Sequence, residues 1–120
     1  MSADIKDISS RGDIVLLLNQ FYDFAQNDEI IGDKFTNINM AAHTEIIADF
    51  WDGILFGSNR YSGDPFGKHL ELNLEAKDFE RWILLFNQTI DKNYSGPIAD
   101  EAKYRAGTIA QVFQHKLGLL

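Results

Sequence analysis

A chain of 120 residues is long enough to bury a single-domain core unaided, and the absence of cysteine removes disulfides, thiolate catalysis, iron–sulfur ligation and cysteine-type zinc sites together. A formal charge of -7, with eleven Lys and Arg scattered among eighteen Asp and Glu, argues against a nucleic-acid surface. The first residues, Met1-Ser-Ala-Asp-Ile-Lys-Asp-Ile8, carry charges where a signal peptide needs an apolar run, and Ile14 to Leu18 is too short to cross a bilayer, so a cytoplasmic location without membrane contact is expected.

Helical periodicity runs through nearly the whole chain, with almost no strand alternation. Asp13 is placed to cap a first helix whose apolar positions Ile14, Leu17, Leu18, Phe21, Tyr22 and Ala25 recur at threes and fours and which ends near Asn27. A short turn or helix is expected from Asp28 to Phe35. Met40 to Phe56 forms the next helix, with Ile46, Ile47, Phe50, Trp51, Ile54 and Leu55 as its apolar stripe and Gly57-Ser-Asn as its stop. Between Gly57 and Leu74 the glycines and Pro65 predict a loop with a short helix around Phe66 to Glu71. Glu75 to Asp91 reads as a strong helix with Phe79, Trp82, Ile83, Phe86 and Ile90 on one face. Ser95-Gly-Pro97 then restarts the chain as a last helix to about Lys116, burying Ile98, Ala102, Ile109, Val112 and Phe113, with Gly118 beyond its end. No repeat or internal linker appears, so residues 1–120 read as one all-α domain.

Polar rings on apolar faces are the informative residues, because a buried donor must find a partner. His43 stands four, seven and eleven residues before Ile47, Phe50 and Ile54, which places it on the core-facing stripe. Tyr22 and Trp82 fall on the apolar faces of two other helices. Taken singly, each is more often a packed core residue than part of a site. Together with His69, which follows the segment Tyr61-Ser-Gly-Asp-Pro-Phe-Gly-Lys68, they suggest a small polar guest held on a metal, with no carboxylate among them for acid–base hydrolysis. Nine Phe, four Tyr and two Trp make 12% of the chain aromatic, enough to build a core or to line a slot for a planar ligand. His115 shares a face with Thr108 and Gln111 and reads as solvent-exposed.

The strings Phe21-Tyr22, Asp28-Glu-Ile-Ile-Gly-Asp-Lys-Phe35, His43 followed by Phe50-Trp51, Tyr61-Ser-Gly63 leading to His69, Phe79-Glu-Arg-Trp82 and Thr89-Ile-Asp91 resemble the group III truncated haemoglobins, in order along nearly the whole chain. The resemblance implies a truncated globin, a two-over-two helical sandwich around a b-type haem. It implies His69 as the proximal iron ligand and Tyr22, His43 and Trp82 as the distal residues that meet the bound gas. Phe35, Ile46, Ile47, Phe50, Phe66, Leu72, Phe79 and Phe86 are implied as the apolar surround, with Tyr61 and Lys68, and more weakly Arg60, as partners for the propionates. Two departures from the family stand out. The connection from Phe35 to His43 is eight residues, shorter than usual, which leaves an outward-facing His43 open; and Asp78 occupies a position where the family often has histidine.

A proximal histidine leaves the sixth coordination position of iron open to O2, NO, CO or peroxide. Donors from Tyr22 and Trp82 in a water-poor pocket imply slow O2 release, which suits NO oxidation or peroxide reduction better than transport, with His43 as proton donor or gate. No Gly-rich dinucleotide fingerprint is present, so sustained turnover implies an external reductase, which the acidic surface could help to dock. Two rival readings share the sequence: a gas-binding or sensing globin without turnover, and a haem-free helical interaction module. A non-haem metal site is less favoured, because two histidines without a Glu-x-x-His pairing are a thin ligand set.

Overall fold

The computed structural model describes residues 5–35, 39–58 and 74–119. Four α-helices, α1 (Arg11–Gln26), α2 (Met40–Phe56), α3 (Ala76–Asn93) and α4 (Pro97–Lys116), with a 3-10 segment Gly32–Phe35 after α1, make up the regular structure of these residues. Among them no helix is long and apolar enough to cross a membrane.

Each helix begins where a side chain can satisfy its free backbone donors. Ser10, three residues before the expected cap, accepts from Asp13 N–H, while the Asp13 carboxylate reaches back to the backbone and hydroxyl of Ser9 at 2.8 and 3.0 Å. Ser-x-x-Asp therefore works as a capping-box variant, and Asp13 lies in the first turn rather than at the cap. Asn39 caps α2 through Ala42 N–H, and Gly57, at φ 75, ends it in the left-handed region that glycine adopts without strain. Asp78 accepts from Glu75 N–H at 2.8 Å to open α3, which runs two residues beyond the expected Asp91.

The last cap is remote in sequence. Asp7 accepts from Ile98 N–H at 2.9 Å and Ala99 N–H at 2.8 Å, so a carboxylate from the start of the chain closes the N-terminus of α4. Gly96 makes this approach feasible: its φ is 144, and a Cβ there would stand 2.6 Å from Asp7 Cγ. A single parallel bridge, Lys6 to Tyr94, and the Tyr94 hydroxyl donating to Asp13 C=O hold the same strap across the α3–α4 corner.

Packed pairs α1·α2 and α3·α4 are joined where α1 also lies on α3, two helices over two. All six apolar positions anticipated on α1 are buried. On α4 the expectation needs correction. The buried stripe is Ala99, Ala102, Ala106, Ala110 and Phe113, whereas Ile98 and Ile109 are half-buried and Val112 is 45% exposed. Four alanines at helical spacing let backbones approach closely, so the small residues and not the large ones mark the contact face.

On α2 the buried positions are Thr44, Ala48, Trp51 and Asp52. The stripe of His43, Ile47, Phe50 and Ile54, read from sequence as core-facing, is only half-buried, one sector to the side. Adjacent to it, Ile46 is 39% exposed. The apolar arc of α2 is thus wider than its fully buried face.

Two ion-pair groups fix the helix pairs. Arg11 reaches Asp49 at 2.6 Å, Glu45 at 3.2 Å and Asp52 at 3.8 Å, tying the start of α1 to α2. Asp28 receives Arg81 through Nε at 2.9 Å and Nη2 at 2.7 Å, and its other oxygen accepts from Ile30 and Ile31 N–H, so the α1 corner is pinned to α3.

Candidate haem and gas site

Tyr22 stands on α1 with its ring 6% exposed, four residues after Leu18 and beside Phe21. Its hydroxyl lies 3.1 Å from His43 Nε2 on α2, and the two rings meet edge to face with centroids 4.9 Å apart. The short connection before α2 therefore leaves His43 turned inward. Phe35, at the end of the 3-10 segment, packs edge-on to Tyr22 at 5.8 Å. Three of the rings singled out in the sequence come from three separate elements into one cluster.

Trp82 enters from α3, half-buried. Phe21 joins it to the others, since its fully buried ring lies edge-on to Tyr22 at 4.9 Å and to Trp82 at 6.0 Å. The indole N–H of Trp82 has no acceptor among the described residues. Burial raises the Tyr22 phenol well above its ordinary 10, so the hydroxyl remains protonated throughout the physiological range.

The donor arithmetic of this cluster is specific. A neutral imidazole can accept from Tyr22 or donate to it. When His43 Nε2–H donates to the Tyr22 oxygen, the Tyr22 O–H is released and points a second donor, alongside Trp82 N–H, at any guest. Two donors and a polarised imidazole suit a small ligand that gathers negative charge.

An apolar wall adjoins these donors. Ile47 and Phe50 are half-buried against the core beside these donors, and Ile46 on the same helix is 39% exposed. Phe86 is placed differently: it is 1% exposed and its ring stacks on both Trp82 and Trp51, so protein takes both of its faces. Phe79 belongs to a separate cluster with Ala110 and Phe113. Tyr61, Phe66, Lys68, His69, Leu72 and Arg60, and the short helix expected around Phe66 to Glu71, lie outside the described residues. Asp78, in place of the family's histidine, is 3% exposed; one oxygen caps α3 and lies 3.9 Å from Lys34 Nζ, and the other has no hydrogen-bond partner among the described residues. His115 is exposed, as its face suggested.

Phe21 as hub and Trp51 as a stacking partner were not anticipated. Their positions on apolar faces were legible, but the ring planes they present depend on how α1, α2 and α3 cross.

Two helix pairs laid one over the other, with Tyr22, His43 and Trp82 drawn to one side, have the architecture of the two-over-two globins. The sequence model of the bacterial-like globins matches residues 7–115. A group 3 truncated haemoglobin of Campylobacter jejuni is 32% identical over 111 residues, 87% of each chain. The crystal structure of group III truncated haemoglobin from Campylobacter jejuni superposes with a TM-score of 0.87 at 29% identity over 94% of each chain. A 2/2 haemoglobin from Synechococcus sp., in the cyanomet state with covalently attached haem, shares the fold at a TM-score of 0.75 and 23% identity, over 82% of this chain and 85% of that one. This chain belongs to the bacterial-like globins, within the group III truncated haemoglobins. Haem-based binding of small gases follows from that membership.

Proposed function

We propose that the chain carries haem b with His69 as its proximal ligand and retains O2 tightly for redox chemistry, either oxidation of NO to nitrate or reduction of peroxide. The observation that carries this reading is the 3.1 Å contact of Tyr22 with His43, beside a Trp82 N–H that has no acceptor among the described residues. Phe35, Ile46, Ile47 and Phe50 would form the distal wall, and Tyr61, Phe66, Lys68 and Leu72 would complete the surround by resemblance to the family. When bound, the haem supplies an iron site at which a diatomic gas or peroxide is held and exchanges electrons.

The protein's own residues then decide what happens to the guest. Tyr22 O–H and Trp82 N–H would stabilise negative charge on it, and the apolar rings of Phe35 and Phe50 nearby would keep water from competing for those bonds. His43 orients the Tyr22 hydroxyl and, at the half-buried edge of the cluster, can carry a proton inward from solvent. Stabilisation of this kind slows release, which suits a protein that consumes O2 more than one that delivers it. Each NO oxidation joins one NO to one O2 as nitrate and leaves the protein one electron short; reduction of a peroxide to water takes two electrons and two protons. Both need an external reductase, and the net charge of -7 supports docking to a basic electron donor, in the cytoplasm.

Visible spectra of the haem-loaded protein, wild type and His69→Ala, with dithionite and CO, test the haem assignment. The expected result is a sharp Soret band with a CO shift that the substitution weakens or alters; absence of stoichiometric haem binding in wild type refutes it. Consumption of NO by the reduced, oxygenated protein then separates turnover from simple gas binding.

A further inference from the structure

Phe86 is 1% exposed and lies flat against Trp82, whose N–H has no acceptor among the described residues. Its ring is parallel to Trp82 within 10° at 5.4 Å and to Trp51 within 20° at 5.2 Å, so the three rings form a column from α3 to α2. Phe21 closes the side of the column, edge-on to Phe86 at 5.4 Å and to Trp82 at 6.0 Å. Trp51 is held in turn, 3% exposed and edge-on to Phe50 at 5.8 Å. Of the three column residues, only Trp82 reaches a half-buried position.

The second side-chain torsion of tryptophan is a broad, roughly two-fold well. An indole on a half-buried helix position can therefore turn over and carry its N–H from one side of the helix to the other. A neighbouring ring restrains that rotation, since an offset or edge-on aromatic pair biases an orientation by about two- to tenfold. Trp82 has two such neighbours, Phe86 on its face and Phe21 at its edge.

We propose that Phe86 is a positioning residue: clamped by Trp51, it sets the plane of the Trp82 indole and thereby keeps the Nε1–H available to the gas pocket. The column also ties that orientation to α2, because Trp51 stands eight residues after His43 on the same helix. A shift of α2 that moves His43 moves the outer ring of the column with it, so the gate and the donor are mechanically linked. This inference rests on the distal-donor reading given above for its consequence in gas release, but not for the geometry itself.

The test uses the 15N-labelled full chain, as isolated and as the haem-loaded ferrous CO form. With two tryptophans, the chain shows two indole N–H signals, assigned with Trp82→Phe and Trp51→Phe. In Phe86→Leu and Phe86→Met the Trp82 indole signal is expected to broaden or double, beyond the ring-current shift that loss of the phenyl causes by itself. The methionine variant fills the site without a ring plane and carries the test where leucine compromises folding. The O2 off-rate of the same variants is expected to rise about fivefold, as for loss of one neutral hydrogen bond, and adding Trp82→Phe to them should increase it little further. A single, sharp Trp82 signal in the folded variants, whatever ring-current shift the lost phenyl causes, overturns the proposal. If Trp82→Phe by itself leaves the off-rate unchanged, the donor reading fails, while the indole signal still decides whether Phe86 positions the ring.

Discussion

Tyr22→Phe deletes one oxygen from the most closely described contact of the site and changes little else. The ring keeps its edge contacts with Phe21, Phe35 and His43, and only the hydroxyl 3.1 Å from His43 Nε2 is lost. His43 is half-buried and can turn to water, so the stability cost is expected to stay below about 1 kcal/mol. The effect on gas release depends on which way the hydrogen bond runs. With His43 donating, the Tyr22 O–H faces the guest as a charge-assisted donor worth about 1.5–3 kcal/mol, and its removal speeds O2 release about ten- to 150-fold. With Tyr22 donating to His43, the guest loses only an ordered neighbour and the change stays below about threefold. The first outcome is expected, because negative charge on the guest favours an orientation that offers it a proton. O2 dissociation measured by CO displacement in a stopped-flow instrument separates the two. Unchanged off-rates in both Tyr22→Phe and Trp82→Phe would refute the distal-donor reasoning altogether.

Asp7→Ala removes the remote cap of α4 and leaves the N–H groups of Ile98 and Ala99 without their carboxylate; about 2 kcal/mol of stability is expected to go, a fall of about 8 °C in Tm for a chain of this size, readable by circular dichroism and refuted by a shift within error. The Arg81 guanidinium holds the Asp28 carboxyl below its ordinary 3.8, so this pair stabilises the fold above that pH and its contribution is lost as the pH falls through the lowered native value; acid unfolding of Asp28→Asn should show a weaker pH dependence in that window than wild type.

Local signals in the chain were strong enough to place all four described helices, because helix starts and stops are written in adjacent residues. Gly57, Pro97 and Gly118 act on backbone groups within a turn of themselves, and the apolar period of α1 names its buried face residue by residue. The wide apolar arc of α2, the inward Tyr22 and the family strings likewise need no neighbours to be read. Tertiary structure alone decided which part of that arc is core and which is not, since Thr44, Ala48 and Trp51 are buried and Ile46 is 39% exposed. It also decided that α4 packs through alanines, that Asp7 caps a helix more than ninety residues away, and that Phe86 lies between two indoles. Periodicity assigns a side chain to a face, but the plane of a ring and the partner of a carboxylate depend on the distance and angle at which helices cross, and those are set by all the contacting residues at once.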